Sequence, residues 1–180
     1  MSKSLLSLVL ILALVGVVSA ANNQWQGPNN LTQDNWNKAS NWSLGRVPSI
    51  ALADTVLLHR SAGGGSNVIV TDAQEGGAKT RFYYGDPMFL TIANGGSLVT
   101  SGSVDQYNVN NTVTIQAGGV WNACTTGGSY KVAADTGNYV HTSTLNVYGT
   151  LNVKGTSGTS TLGITNDTRA TNGTNVGTVN

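Results

Sequence analysis

Two segments set 23 residues apart, Thr91-Ile92-Ala93-Asn94-Gly95-Gly96 and Thr114-Ile115-Gln116-Ala117-Gly118-Gly119, write one pattern twice: a β-branched pair running into a double glycine. A repeat of about 20 to 30 residues is the length of one solenoid coil, which buries its apolar face only by stacking on the next. A looser third copy, Asn146-Val147-Tyr148-Gly149, extends the series. Aligned on it, Val70, Ile92, Ile115 and Val147 fall at intervals of 22, 23 and 32 residues. The longest interval contains Ala123 to Tyr139, a Thr/Gly/Asp segment that reads as an insertion looping out of one coil.

Strand signals recur through the middle of the chain. Short runs rich in β-branched and aromatic residues are predicted as strands at Thr55 to Leu58, Asn67 to Thr71, Thr80 to Tyr84, Phe89 to Ile92, Ser97 to Thr100 and Thr112 to Ile115. Glycine clusters break them, as corners require. The clearest alternation is Leu145 to Val153, with Leu145, Val147, Leu151 and Val153 on one face and Asn146, Tyr148, Thr150 and Asn152 on the other. The predicted fold is therefore all-β: a short right-handed parallel β-solenoid of roughly five coils over residues 55–165, each adding about 4.8 Å. An antiparallel β-sandwich is the alternative, because Asn94-Gly95 has the composition of a hairpin turn joining Phe89–Ile92 to Ser97–Thr100.

Residues 1–20 are a different kind of sequence. Lys3 is followed by an apolar run from Leu5 to Val18 and by small residues at Val18-Ser19-Ala20, the layout of a secretory signal peptide. As a helix that run is about 21 Å long, short of the roughly 30 Å hydrocarbon core, so no stable membrane insertion is expected after cleavage. Export implies a secreted, extracellular or cell-surface location. The remaining chain divides into a Trp-rich N-terminal cap segment (21–54), the solenoid (55–165) and a polar C-terminal tail (166–180). Without Lys3 it carries eight basic and eight acidic residues. Nucleic acid is therefore not an expected partner, since phosphate binding rests on clustered Lys and Arg. Cys124 is the only cysteine, so no internal disulfide framework exists. It reads either as a small buried hydrophobe or as an intermolecular bridge.

The cap segment holds Trp25, Trp36 and Trp42. The stretch Trp36-Asn37-Lys38-Ala39-Ser40-Asn41-Trp42-Ser43-Leu44-Gly45-Arg46-Val47-Pro48, with Asp54-Thr55-Val56 shortly after, resembles the opening of exported bacterial parallel β-helix surface proteins, autotransporter-like repeat proteins. The resemblance covers about residues 25 to 60 strongly and the later glycine repeats loosely. It implies export and a β-helix fold, and it says almost nothing about activity.

Three function classes follow. The leading expectation is a secreted structural protein of the cell surface or extracellular matrix, self-associating end to end through solenoid strand edges. The second is a carbohydrate-binding or adhesive module, with Trp25, Trp36, Trp42, Tyr83, Tyr84 and Tyr148 as the candidate glycan-stacking residues; for the three indoles a cap over the solenoid end is the competing role. The third is a polysaccharide lyase-like enzyme, which needs acids and bases placed together on adjacent coils. The eight acids are Asp34, Asp54, Asp72, Glu75, Asp86, Asp105, Asp135 and Asp167. Asp72 and Glu75 read as a loop, and Asp86 with Asp105, near Arg81, is the one coil-to-coil pairing in view. No catalytic set, metal motif or cofactor motif is expected, and the chain is read as a non-enzyme. Thr112, Thr114, Thr142, Thr144 and Thr150 suggest an ice-binding face, but no regular T-x-T recurs at coil spacing.

Overall fold

The computed structural model describes residues 20–28, 30–58, 65–82, 87–107, 110–134, 141–156, 160–164 and 175–180. The strands succeed one another coil by coil. Asn22–Gln24 (β1) and Gln33–Asn35 (β2) begin the stack, followed by Thr55–Leu58 (β3), Ser66–Val70 (β4) and Ala73–Glu75 (β5). Lys79–Phe82 (β6), Met88–Ile92 (β7) and Ser97–Val99 (β8) form the next coil, then Val104–Tyr107 (β9), Asn111–Ile115 (β10) and Val120–Ala123 (β11). Gly128–Ala134 (β12), His141–Val147 (β13) and Thr150–Val153 (β14) precede the last two strands, Ser160–Ile164 (β15) and Asn175–Val179 (β16).

Strands that follow one another in the chain lie in different sheets, and strands one coil apart pair. The first sheet has the order β1-β3-β6-β9-β12-β15, the second β16-β13-β10-β7-β4-β2, and the third β14-β11-β8-β5. Every strand-to-strand ladder is parallel. The protein is thus a parallel β-solenoid, and the sandwich alternative is overturned. Asn94-Gly95 is a corner, not a hairpin, because β7 pairs with β4 and β10 while β8 pairs with β5 and β11.

The repeat that sets the coil length also sets the register. Val70 stands opposite Ile92, Ile92 opposite Ile115 and Ile115 opposite Val147, while Thr91 stands opposite Thr114. Each strand alternates, so one column points inward and its neighbour outward. Inward columns such as Val68–Leu90–Val113–Leu145 are buried. At about 1.5–3 kcal/mol for each large apolar side chain, these columns are the main favourable term in a chain without disulfides.

The two glycines of the repeat do different jobs. Gly95 and Gly118 adopt φ of 79° and 80°, the left-handed region that an L side chain avoids. Gly96 and Gly119 lie directly over the preceding coil: a Cβ on Gly96 would overlap the Val70 carbonyl oxygen, and one on Gly119 the Ile92 carbonyl oxygen. The degenerate third copy keeps the second role, since a Cβ on Gly149 would overlap the carbonyl oxygens of Gln116 and Gly119.

Beside Trp121, buried polar groups satisfy one another. The Trp121 indole N–H donates to Thr100 Oγ1 at 3.3 Å, and Thr100 and Thr80 hydroxyls lie 3.0 Å apart. The Thr80 hydroxyl in turn donates to the Gly76 carbonyl at 2.8 Å. Only one proton arrangement serves all three bonds: indole to Thr100, Thr100 to Thr80, Thr80 to backbone. Burial of two threonines therefore leaves no donor empty.

Several elements differ from the sequence expectations. Asp72 to Glu75 is not simply a loop, since Ala73–Glu75 is β5. The stretch expected as an insertion contains β12, which pairs with β9 and β15. The cap segment also supplies β1 and β2, and the polar tail supplies β16, which pairs with β13. Asn22–Gln24, Gln33–Asn35 and Ala73–Glu75 lack strong β-propensity, and their place is imposed by the neighbouring coil.

The two glycine roles predict different costs. Gly95→Ala meets no atom within 4 Å, so only its backbone conformation is strained, by about 1–2 kcal/mol. Gly96→Ala must push two coils apart and is expected to cost more, on the order of 3 kcal/mol or above. Urea unfolding of both variants measures the order.

Candidate functional site

At the N-terminal end three indoles pack edge to face. Trp25 and Trp42 have ring centroids 5.2 Å apart at 84°, and Trp36 and Trp42 lie 4.7 Å apart at 64°. All three are 0–2% exposed. The Trp42 indole N–H donates to the Trp36 carbonyl at 2.8 Å, and the Trp25 ring leaves Gly27 no room for a Cβ. With no ring face open to water, Trp25, Trp36 and Trp42 offer no platform for stacking on a sugar. They close the core of the first coil.

The residues around the indoles hold them there. Gly45 turns the chain at φ 63°, Pro48 is buried and Val47 packs against the core. Arg46 reaches the fully buried Asp54 with both terminal nitrogens, Nη2 lying 2.7 Å from Oδ1 and Nη1 bonding Oδ2. The Ser49 N–H donates to the same carboxylate at 2.9 Å. These bonds to the charged partner hold the guanidinium pKa above its ordinary value, burial opposing them. The Asp54 carbonyl accepts the Ala78 N–H at 2.7 Å, which ties the cap loop to the next coil.

The remaining aromatic candidates are separated from this end. Tyr148 is 67% exposed, at the corner after β13. Tyr83 and Tyr84 lie outside the described residues, as do Asp86, Asp135, Asp167 and residues 1–19. Among the threonines, Thr112 stands opposite Thr144, and Thr150 belongs to a different sheet, opposite Val120. Cys124 is free and buried.

The densest group of ionisable side chains lies on the outward face of the first sheet. Register places Arg81 and Lys131 on either side of Asp105, one strand away each. Lys79 Nζ is 2.9 Å and Arg81 Nε 3.6 Å from Asp105 Oδ2, and the Asp105 side chain is only 2% exposed. The Arg81 guanidinium sits over the Tyr107 ring, 5.5 Å from its centroid. Of the expected Asp86–Asp105–Arg81 grouping, the structure brings together Arg81 and Asp105. Lys79, Lys131 and Tyr107 were missed, although Arg81 and Asp105 are 24 residues apart, one coil of this sheet.

Burial first, and then Asp105, push the Tyr107 phenol above its ordinary range, with Arg81 opposing. Burial likewise raises the Cys124 thiol and raises Tyr130 well above the ordinary phenol value. Burial alone would raise Asp34, but hydrogen bonds from Lys38, the Asn35 N–H and Asn41 outweigh it and lower the carboxyl. Each of these shifts moves a group away from neutrality, opposite to what proton transfer at neutral pH needs. Among the described residues no group of three or more His, Cys, Asp or Glu is placed to hold a metal ion.

The class defined by the fold is a short three-sheet parallel β-solenoid whose N-terminal end is closed by three indoles. No family model matches the chain, and neither a curated protein nor a solved structure matches it.

Two outcomes are expected. Asp54→Ala strips the buried partner from Arg46 and should cost about 3 kcal/mol in urea unfolding, at the low end for a broken buried pair because the guanidinium keeps some water. For alkaline pH the sign is set by raised folded-state values: Cys124, Tyr107 and Tyr130 stabilise fully below their unfolded pKa values and lose that contribution as pH rises. The melting temperature should therefore fall from about pH 8.5 and more steeply past about pH 10. Tyr130→Phe, which removes a buried hydroxyl lacking a hydrogen-bond partner, should flatten that fall and leave neutral-pH stability unchanged or higher. Circular dichroism melts from pH 7 to 11 compare the two proteins.

Proposed function

We propose that this chain is a secreted structural protein of the cell surface or extracellular matrix, of the kind found among exported bacterial parallel β-helix surface proteins. It acts as a short rod that associates through a strand edge. The observation that carries this reading is the difference between the two ends of the stack. At one end indoles and a folded-back segment cover the core, whereas at the other Leu162, the last member of an otherwise buried column, is 46% exposed. Two further features support it. The first twenty residues have signal-peptide layout, and the residues of the Trp36–Pro48 motif serve the cap. A tube whose rigidity comes from backbone ladders suits a structural role where disulfides are absent.

A second reading, adhesion to glycans, is favoured by Tyr148, which is 67% exposed. Tyr148→Ala should then abolish retention on an insoluble polysaccharide that retains the parent protein.

Expression of the full chain in a bacterial host, with and without residues 1–20, tests the export on which both readings depend. The expected product is a mature protein beginning at Ala21 outside the cytoplasm, identified by intact mass. Retention of an uncleaved chain inside the cell overturns it.

A further inference from the structure

Lys79, Arg81 and Lys131 are the lysines and arginines that the described strands carry, and all three belong to the first sheet, on β6 and β12. They share its outward face, since their strand neighbours Thr80, Phe82, Tyr130 and Val132 point inward and are 0% exposed. Arg81 and Lys131 stand in one column with Asp105 between them, so two coil spacings, about 10 Å, separate their backbones. Lys79 stands in the next column, two residues before Arg81 on β6.

The carboxylate of this group lies beneath the cations and does not neutralise them. The Asp105 side chain is 2% exposed, whereas those of Lys79 and Arg81 are 32% and 34% exposed, so a solute approaching the sheet meets ammonium and guanidinium groups first. Lys79 Nζ reaches Oδ2 at 2.9 Å, while Arg81 Nε, at 3.6 Å, stays beyond hydrogen-bond distance of that oxygen. Lys131 is half-buried and forms no ion pair among the described residues. Three cations over one acid leave this face with two positive charges in excess. Elsewhere Lys38 and Arg46 are each matched by an acid of their own. The cations are also held in place, Lys79 by Asp105 and Arg81 over the Tyr107 ring, which lowers the cost of ordering them on a ligand.

We infer that this face binds an anionic polysaccharide, with Arg81 and Lys131 each meeting a negative group on the sugar chain and Lys79 supporting the first. Guanidinium and ammonium groups suit the oxygens of a carboxylate or a sulfate ester. Sugar hydroxyls between those charges find the hydroxyls of Thr55, opposite Lys79, and Ser129, two residues before Lys131, both half-buried on the same face. Nucleic acid is poorly served here, because it is held through many phosphate contacts and through stacking on open rings. This face has three cations, and Arg81 occupies the Tyr107 ring. The site lies on a sheet face, apart from the strand edges and from Tyr148, and depends on neither reading above.

The test is affinity electrophoresis of the mature chain in gels containing sodium alginate, dextran sulfate or neutral dextran. Retardation by alginate, by dextran sulfate or by both is expected, relieved by added salt and absent with neutral dextran. A response to alginate alone assigns the bound group as carboxylate, and one to dextran sulfate alone as sulfate ester. Lys131→Gln and Arg81→Gln should each weaken binding by about fivefold. Lys131 has no described ion-pair partner, so its variant keeps the fold by circular dichroism. Lys154→Gln removes the same charge from an exposed position just past β14 and should leave binding unchanged. Equal weakening by Lys154→Gln overturns the site in favour of diffuse charge, and indifference to both Lys131→Gln and Arg81→Gln overturns it outright. Failure to bind either charged polymer, or equal retardation by neutral dextran, overturns the inference. Tighter binding to single-stranded DNA than to either polymer overturns the polysaccharide class.

Discussion

Everything in this molecule depends on the parallel backbone ladder between successive coils. A coil of this chain has few internal hydrogen bonds, so its N–H and C=O groups are satisfied by the coils before and after it. That requirement fixes the register, holds coils about 4.8 Å apart and leaves no space at the corners for a side chain between them. Gly96, Gly119 and Gly149 are consequences of this spacing, each lying against carbonyl oxygens one coil away. Side-chain columns follow from the same constraint, because a ladder in register stacks like residues upon one another. The Asn152 amide donating to Asn122 at 2.8 Å and the Asn180 amide donating to Asn146 at 3.0 Å are outward examples.

A ladder of this kind has two ends, and the protein treats them differently. At its start the core is closed by Trp25, Trp36 and Trp42, and the folding-back of residues 41–46 uses the hydrogen-bonding groups of β1. The Arg46–Asp54 pair locks that fold-back to the coil beneath, so the cap is held by a charged pair and packing rather than by a helix. In the first sheet the inward column ends, among the described residues, at Leu162, which is 46% exposed.

Charge is used sparingly and locally. Asp34 pairs with Lys38 and Asp54 with Arg46 within the cap, while Asp105 lies beneath Lys79 and Arg81 on the first sheet. The side chains standing outward on the second and third sheets beyond the third coil, where described, are uncharged: Thr112, Thr114, Asn146, Val120, Asn122 and Asn152 among them. Such faces are solvated by hydroxyls and amides, which keep the rod wet without the self-repulsion of like charges.

The coil length and the inward Val, Ile and Leu columns were legible in the residues themselves, whereas Asn94-Gly95 suited a hairpin as well as a corner and left the parallel pairing to the fold. Val70, Ile92, Ile115 and Val147 fall opposite one another, as stacked coils 22, 23 and 32 residues apart require. Strands such as Ala73–Glu75 and Asn22–Gln24 were not legible, since their conformation comes from the ladder of the adjacent coil and not from their own propensity. Nor could the sequence choose between a platform and a seal for Trp25, Trp36 and Trp42, because an indole suits either role. Only the folded chain, by returning residues 41–46 over β1, put those rings out of water. The pattern along the chain determined how one coil sits on the next; how the stack is closed at its N-terminal end was decided by contacts between segments with no periodic signal of their own.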